Sequence, residues 1–343
     1  MNINYKKNRV LQIGAGSMGM RRMRDLSSRE DVEIALLEVQ VARQQNAIDR
    51  YGVICFNDIE SALAWGPDTF IISTPPDRHA QYIELALQHG FNFFSELELF
   101  PYDFREIERV SQNKQIVAAP SCTLNFLPIL KELQRIVKEN LGPLHAYSYC
   151  LSTDLASWHP DEGMEYYARN RSTNGTREMV SFELIALSSV FGIPLNAAGI
   201  LRCGGELGQH IEDTWSVQML LDNGGIGQML ILGGSPQRVR KGQAIGANGS
   251  IEFDVINGKI ISRFPKLGIN DTLEFAINFE LVYKDEISTF IDVIKGTAKW
   301  PYDYRKACTL SGTLAAAEKS AITGCVEKVD PTFLPALLPD QYW

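Results

Sequence analysis

The stretch "RVLQIGAGSMGMRRMRDLSS", residues 9–28, decides the fold. A short apolar strand runs into Gly14-Ala15-Gly16-Ser17-Met18-Gly19, and a helical pattern continues to about Ser28. A GxGxxG run alone is weak evidence; between a strand and a helix it reads as a phosphate-binding turn. Gly14 permits the tight turn, Gly16 lets the backbone approach a pyrophosphate, and Gly19 lets the helix pack close to the strand. Ser17 and Met18 open the helix, whose N-terminus offers unpaired N–H groups and a partial positive charge. The next strand, "VEIALLEV", ends at Glu38, at the distance expected for the acid that holds adenosine ribose hydroxyls. The other reading of Glu38 is a solvated strand-end charge. A carboxylate there repels a 2′-phosphate, by roughly 1 kcal/mol in water and about 4 kcal/mol at an effective dielectric of 20. NAD is therefore expected in preference to NADP, and Arg43 weakens that preference only slightly.

Outward from this turn, segments alternate. "DIESALAW" is a short helix with Asp58 as its cap. "DTFIIST" is a strand, "DRHAQYIELALQHG" a helix ended by Gly90, "FNFFSE" a strand, "DFREIERVSQNK" a helix and "QIVAAP" a strand. Such alternation implies a doubly wound parallel sheet with helices on both faces. After Pro120 the pattern changes. A helix (126–139), the strand "LHAYSYCLST", a polar loop and a helix (about 176–191) are followed by hairpins turning at Asn223-Gly224-Gly225 and Asn257-Gly258. Two late helices fall at roughly 274–295 and 304–324. The expected fold is α/β: a dinucleotide-binding domain over 1–121, then an α+β domain with an open, mainly antiparallel sheet over 122–343, for substrate binding and oligomerisation.

Composition bounds the function. The 343 residues are 45% apolar and carry a net charge of −8, which argues against nucleic-acid or acidic-membrane partners. Six scattered cysteines without a CxxC pair fit reduced thiols. The leading residues lack the apolar core of a signal peptide, and no apolar run is long enough to span a bilayer. A soluble cytoplasmic protein is expected. No His/Asp/Glu cluster has metal-ligand spacing, and the serine in "PSCTLN" has no partnered base, so no metal is expected.

The run "STPPDRHAQYIELALQHGFNFFSE" resembles the Gfo/Idh/MocA oxidoreductases, as does the late run "AAAEKSAITG". That resemblance implies a nicotinamide cofactor, a sugar, inositol or polyol substrate, and a homodimer or homotetramer paired through the open sheet. The stretch "LASWHPDEGMEYYARNRSTNGTREMVSFELIALSSVFGIP" is similar to a subgroup with a Trp-His-Pro or Trp-Arg-Pro loop. Members of that kind often occur in surface-polysaccharide and nonulosonic-sugar pathways. In the resemblance Thr74, Pro75, His79 and Glu96 belong to the cofactor side, with His79 shaping the loop beside the nicotinamide.

The chain departs from the family where the chemistry lies. Glu-Lys-Pro is replaced by Glu96, Leu97 and Glu98. On the helix after Asn174-Gly175, the family acid aligns with Glu178, the histidine with Phe182 and a second acid with Ile185. Leucine and phenylalanine transfer no proton, and a positioned acid or base is worth about 10²–10⁴-fold. An active enzyme needs replacements. His159, in the Trp158-His159-Pro160 loop, titrates near neutrality or merely bonds the backbone. Tyr166 and Tyr167 offer a phenol or pack as half-buried rings. Glu178 acts as a base beside Phe182 and Ile185, or pairs with Arg177 or Arg171. Glu98 faces substrate or solvent. Asn125 is a substrate ligand or a helix N-cap, and His210 projects toward the sheet or not at all. The catalytic candidates are thus Glu178, His159 and Tyr167; the substrate candidates are Leu97, Glu98, Asn125, Trp158, Tyr166, Arg177 and Phe182. Two readings follow: an NAD-dependent oxidoreductase with an atypical proton relay, or a non-catalytic dinucleotide-binding regulatory or assembly protein.

Overall fold

The computed structural model describes residues 7–158, 168, 170–205, 207 and 211–333. The amino-terminal half is built as β1 (Asn8–Ile13), α1 (Ser17–Ser27), β2 (Val32–Leu37), α2 (Val41–Tyr51), β3 (Ile54–Phe56), α3 (Ile59–Ala64), β4 (Thr69–Ile72), α4 (His79–His89), β5 (Asn92–Ser95), α5 (Phe104–Lys114) and β6 (Ala118–Pro120). The six strands form one sheet in the order β3-β2-β1-β4-β5-β6, with every pair parallel. This is the doubly wound order in which the chain reverses direction across the sheet between β1 and β4. Asp58 caps α3 through the Ser61 N–H at 2.7 Å, as expected. The sequence reading omitted α2 and β3; the "VARQQNAIDRY" helix buries only Ala47, so its apolar stripe is too thin to announce it.

The second half adds α6 (Pro128–Ile136), β7 (Leu144–Asp154), α7 (Gly175–Phe191), β8 (Pro194–Arg202), β9 (Thr214–Leu221), β10 (Ile226–Leu232), β11 (Gly234–Gly246), β12 (Gly249–Asp254), β13 (Lys259–Phe264) and β14 (Ile269–Glu274). α8 (Phe279–Ile294), α9 (Tyr304–Thr323) and β15 (Glu327–Lys328) follow. A nine-stranded sheet has the order β14-β13-β12-β11-β7-β10-β9-β8-β15. All its pairs are antiparallel except β7 with β10. The hairpin at Asn223 closes by a Leu221 N–H to Gly225 O bond of 2.9 Å, with the Asn223 side chain accepting from the Gly225 N–H. In β9 and β10 burial alternates, so Trp215, Val217, Met229 and Ile231 face the core. The other face exposes Leu220, Ile226, Leu230 and, from β11, Ile245. α7 lies buried along most of its length, Arg177 and Glu183 included.

The chain forms two compact units. The first runs to Thr123 and takes in Glu280–Ala307; the second holds Leu124–Phe279 and the chain from Cys308 onward. The sequence reading placed everything after 121 in one domain and has no counterpart of this return. Its cause is packing: Ile287, Phe290 and Ile291 of α8 join Val10, Leu26, Ile71 and Phe94 in one core cluster. Phe94 and Phe290 lie 5.7 Å apart between ring centroids, and Trp300 meets Phe94 edge-on at 5.9 Å. Among the described residues no helix is long and apolar enough to cross a membrane.

Candidate functional site

The glycine turn is held from three sides. The Gly14 N–H donates to Leu37 O at 2.9 Å, and Gly14 takes φ +86°, a conformation that excludes most other residues. The buried Gln12 amide donates to Gly14 O at 3.0 Å. A Cβ on Gly14 would lie 2.7 Å from Ser73 O, and one on Gly19 would lie 2.0 Å from Gly14 O. Packing alone therefore demands these two glycines. Gly16 is different. It is the N-cap of α1 in an extended conformation, no side chain caps the helix, and a Cβ there would meet nothing within 4 Å. The space over Gly16 and the uncapped first turn of α1 are what a pyrophosphate needs.

Glu38 stands at the end of β2 and is buried. Its carboxylate accepts from the Ala15 N–H and the Gln40 N–H, both at 2.9 Å. The solvated strand-end reading is thereby overturned: two backbone donors orient the acid against the glycine turn. Each oxygen keeps a lone pair for a further donor.

The segment after β4 completes this edge. The Ser73 N–H donates to Ile13 O at 2.9 Å. His79, fully buried at the start of α4, donates from Nε2 to Thr74 O at 3.0 Å, so it shapes this segment. Its Nδ1 lies 3.4 Å from Glu98 Oε1. Glu98, open between substrate and solvent in the sequence, is only 6% exposed. Leu97 beside it is buried and carries no titratable atom.

Glu96 is engaged by Arg22, which sequence reasoning missed. The guanidinium, 0% exposed, donates to both Glu96 oxygens and to Glu286 Oε2 at 2.7 Å. Burial alone opposes charge on Arg22, but Glu96 and Glu286 outweigh it and hold the group firmly cationic. Glu286 in turn accepts from Ser121 Oγ, the Cys122 N–H and Thr123 Oγ1, at 2.9, 2.7 and 2.7 Å. "PSCTLN" is thus a cradle for a buried acid. Among the described residues no three His, Cys, Asp or Glu side chains converge as a metal site.

In the second unit, Asn174 caps α7 by accepting from the Arg177 N–H at 2.9 Å. Arg177 is buried; it donates to Glu318 at 2.8 Å and to Ser172 O at 2.9 Å, while Arg171 reaches Glu212 at 2.8 Å. Glu178 and Phe182 are half-buried one turn apart, and Ile185 is buried. Asn125 sits in a short turn before α6, whose N-cap is Leu127; the capping reading of Asn125 is overturned, and its Oδ1 accepts from Ser189 Oγ at 3.3 Å. The acid that α7 buries is Glu183, also missed. It accepts from Tyr149 OH at 2.5 Å and from Arg240 Nε at 3.0 Å. Burial and the neighbouring Glu183 push the Tyr149 phenol well up. Trp158 ends a short turn, but its side chain lies outside the described atoms. His159, Tyr166, Tyr167 and His210 lie outside the described residues.

Comparison with known proteins gives a family match over part of the chain and a fold over nearly all of it. Residues 8–116 match the GFO_IDH_MocA model, described as an oxidoreductase family with an NAD-binding Rossmann fold. A levoglucosan dehydrogenase solved with NADH and levoglucosan superposes with a TM-score of 0.79 at 14% identity, covering 94% of this chain and 100% of that one. A myo-inositol 2-dehydrogenase from Lactobacillus plantarum gives a TM-score of 0.76 at 14% identity over 95% and 100%. GenD2 from gentamicin A biosynthesis, solved with NAD, gives a TM-score of 0.75 at 17% identity over 95% and 97%. A sequence comparison with curated proteins finds no match.

Proposed function

We propose that this chain, whose residues 8–116 carry the NAD-binding Rossmann fold of the Gfo/Idh/MocA oxidoreductases, is an NAD-dependent oxidoreductase of a sugar or sugar-derived substrate. One observation carries the cofactor half of this reading: open space over Gly16 beside an uncapped helix, with the Glu38 carboxylate held against the turn by Ala15. Gly14, Gly16, Ser17, Met18 and Gly19 hold the pyrophosphate; Glu38 accepts from the adenosine ribose hydroxyls; Thr74, Pro75 and His79 border the nicotinamide end. Glu96 acts indirectly, by fixing Arg22 under α1. When bound, NAD supplies the hydride acceptor. The substrate half is supported by the dehydrogenases of levoglucosan and myo-inositol that share the fold.

The chain must supply the proton path. Leu97 excludes water on its side and offers no proton. Glu178, His159 and Tyr167 are the groups we assign to take or give the hydroxyl proton, with Trp158, Tyr166, Asn125 and Phe182 toward the substrate; Glu98 turns to His79 and Arg177 is held on Glu318, so neither is assigned there. Leu220, Ile226, Leu230 and Ile245 on the open sheet face support a homo-oligomer, which sedimentation would measure.

Calorimetric titration tests the cofactor. NADH should bind more tightly than NADPH, and Glu38→Ala should weaken NADH while narrowing the gap. Equal or reversed affinities sink the assignment. A screen of sugar acids, nucleotide sugars and keto-sugars, including those of surface-polysaccharide pathways, then seeks turnover. The lack of a titratable atom at Leu97 and Phe182 favours a second reading, a non-catalytic dinucleotide-binding regulatory protein; NADH binding without turnover across that screen selects it.

A further inference from the structure

At the carboxyl ends of β4 and β5, buried polar atoms gather without hydrogen-bond partners: Thr74 Oγ1, His79 Nδ1 and both oxygens of Glu98. A buried carboxylate without donors is costly if it stays charged and unpaired. The geometry says how this one is balanced. His79 Nε2 faces Thr74 O at 3.0 Å, and a carbonyl only accepts, so Nε2 carries hydrogen. In a neutral ring Nδ1 would then be a bare lone pair, 3.4 Å from Glu98 Oε1. Two acceptors do not face each other in a dry site. The pair therefore keeps one proton more than a neutral imidazole and an ionised carboxylate would hold, on Nδ1 or on Glu98.

The Thr74 carbonyl that His79 grips belongs to the segment abutting the glycine turn. The Ser73 N–H bonds Ile13 O at 2.9 Å, and Ser73 O lies only 2.7 Å from where a Gly14 Cβ would be. We infer that Glu98 is a positioning residue: acting through His79, it fixes the Thr74 segment against the glycine turn, so that dinucleotide binding is coupled to the proton the pair retains. The inference rests on the dinucleotide reading proposed above.

Burial disfavours a charged ring, but Glu98 outweighs it, and the His79 pKa lies above the ordinary imidazole value. Glu96 is the other acid felt by the ring, and Arg22 already neutralises it; Asp77 and Arg78, next to His79 in the chain, are exposed. A raised pKa means that the stabilisation is complete below the ordinary imidazole range and is lost as pH rises through the folded value. NADH affinity should therefore fall on the alkaline side, by up to about tenfold per pH unit, the limit for one released proton.

The test is NADH titration of the full chain from about pH 6 to about pH 10, spanning the range in which a raised imidazole titrates, with nitrogen NMR of the His79 ring in the free protein. Glu98→Gln supplies an amide N–H to a neutral Nδ1 and needs no extra proton. Glu98→Leu should weaken binding at every pH, whereas Glu98→Gln should recover the affinity that leucine loses and flatten the profile. A flat wild-type profile overturns the inference, as does an Nδ1 that titrates in the ordinary imidazole range. Absence of NADH binding at every pH overturns the dinucleotide reading itself; the ring titration, read without ligand, tells the two failures apart.

Discussion

Arg22 and Glu96 are joined by two parallel bonds, Nε to Oε1 at 2.7 Å and Nη2 to Oε2 at 3.1 Å, between α1 and the end of β5. The same guanidinium reaches Glu286 on α8 and lies 4.8 Å over the Phe94 ring. One buried cation thus ties three separate segments of the first unit together.

Removing it should be costly. Arg22→Met leaves Glu96 and the fully buried Glu286 without their counter-charge. Breaking a buried pair in this way typically costs about 3–5 kcal/mol. Urea unfolding should show a loss of that size, and Arg22→Met combined with Glu286→Gln should recover part of it. A single variant within about 1 kcal/mol of the parent, the usual range for exposed pairs, would show that the network contributes little.

The parallel sheet was legible because its signals are local: a glycine turn between a strand and a helix, and apolar runs such as Thr69–Ile72 that are buried on both faces. The hairpins were legible for the same reason, through Asn-Gly turns. The return of Glu280–Ala307 to the first unit was not, because it depends on Ile287 and Phe290 meeting Phe94, nearly 200 positions earlier by number. The buried acids were misjudged likewise. Glu178 and Glu183 look alike in sequence, yet Tyr149 and Arg240 from distant strands enclose Glu183. Glu98 offered no sequence signal that it would turn inward to His79.

The three turn glycines should separate folding from binding. Gly19→Ala places a Cβ 2.0 Å from Gly14 O, so it should destabilise the protein measurably. Gly16→Val meets no protein atom within 4 Å at its Cβ and needs no unusual φ, since Gly16 sits at −68°. It should melt near the parental temperature while losing NADH affinity by at least about tenfold, because its side chain fills the space a pyrophosphate requires. Thermal scans paired with NADH titrations decide the matter; unchanged NADH affinity in Gly16→Val would place the dinucleotide elsewhere.

Acid should loosen the first unit through Asp31. Arg29 donates to both its oxygens, at 2.9 and 2.8 Å, and Lys295 from the segment after α8 also reaches it. The bonds from Arg29 lead in depressing its pKa, helped by Lys295. A depressed carboxylate contributes stability above its unfolded pKa of about 3.9 that is lost progressively as pH falls through the folded value. Asp31→Asn should therefore be less stable than the parent at neutral pH, and the gap should close toward strong acid. Denaturation curves with a constant gap down to about pH 2, below the ordinary carboxylate range, would assign Asp31 no proton-linked role.

The proposed proton relay is tested on α7 and the residues that precede it in the chain. Glu178 lies in the first turn of α7, half-buried, with half-buried Phe182 one turn further and buried Ile185 beyond. The partial positive charge of a helix N-terminus favours an ionised carboxylate there, the form that accepts a proton from a substrate hydroxyl. If Glu178 is the base, as proposed, its removal should slow the reaction without touching the dinucleotide, since Leu97 and Phe182 supply no proton. Glu178→Gln, His159→Ala and Tyr167→Phe should each be measured with the substrate the screen identifies. At least one should lower kcat by about tenfold or more with NADH affinity preserved, since a group acting only in the transition state changes turnover and not cofactor binding. A residue that merely holds substrate would raise KM instead and leave kcat near the parent. If all three variants turn over at the parental rate, the relay runs through other groups, and the assignment of Glu178, His159 and Tyr167 is wrong.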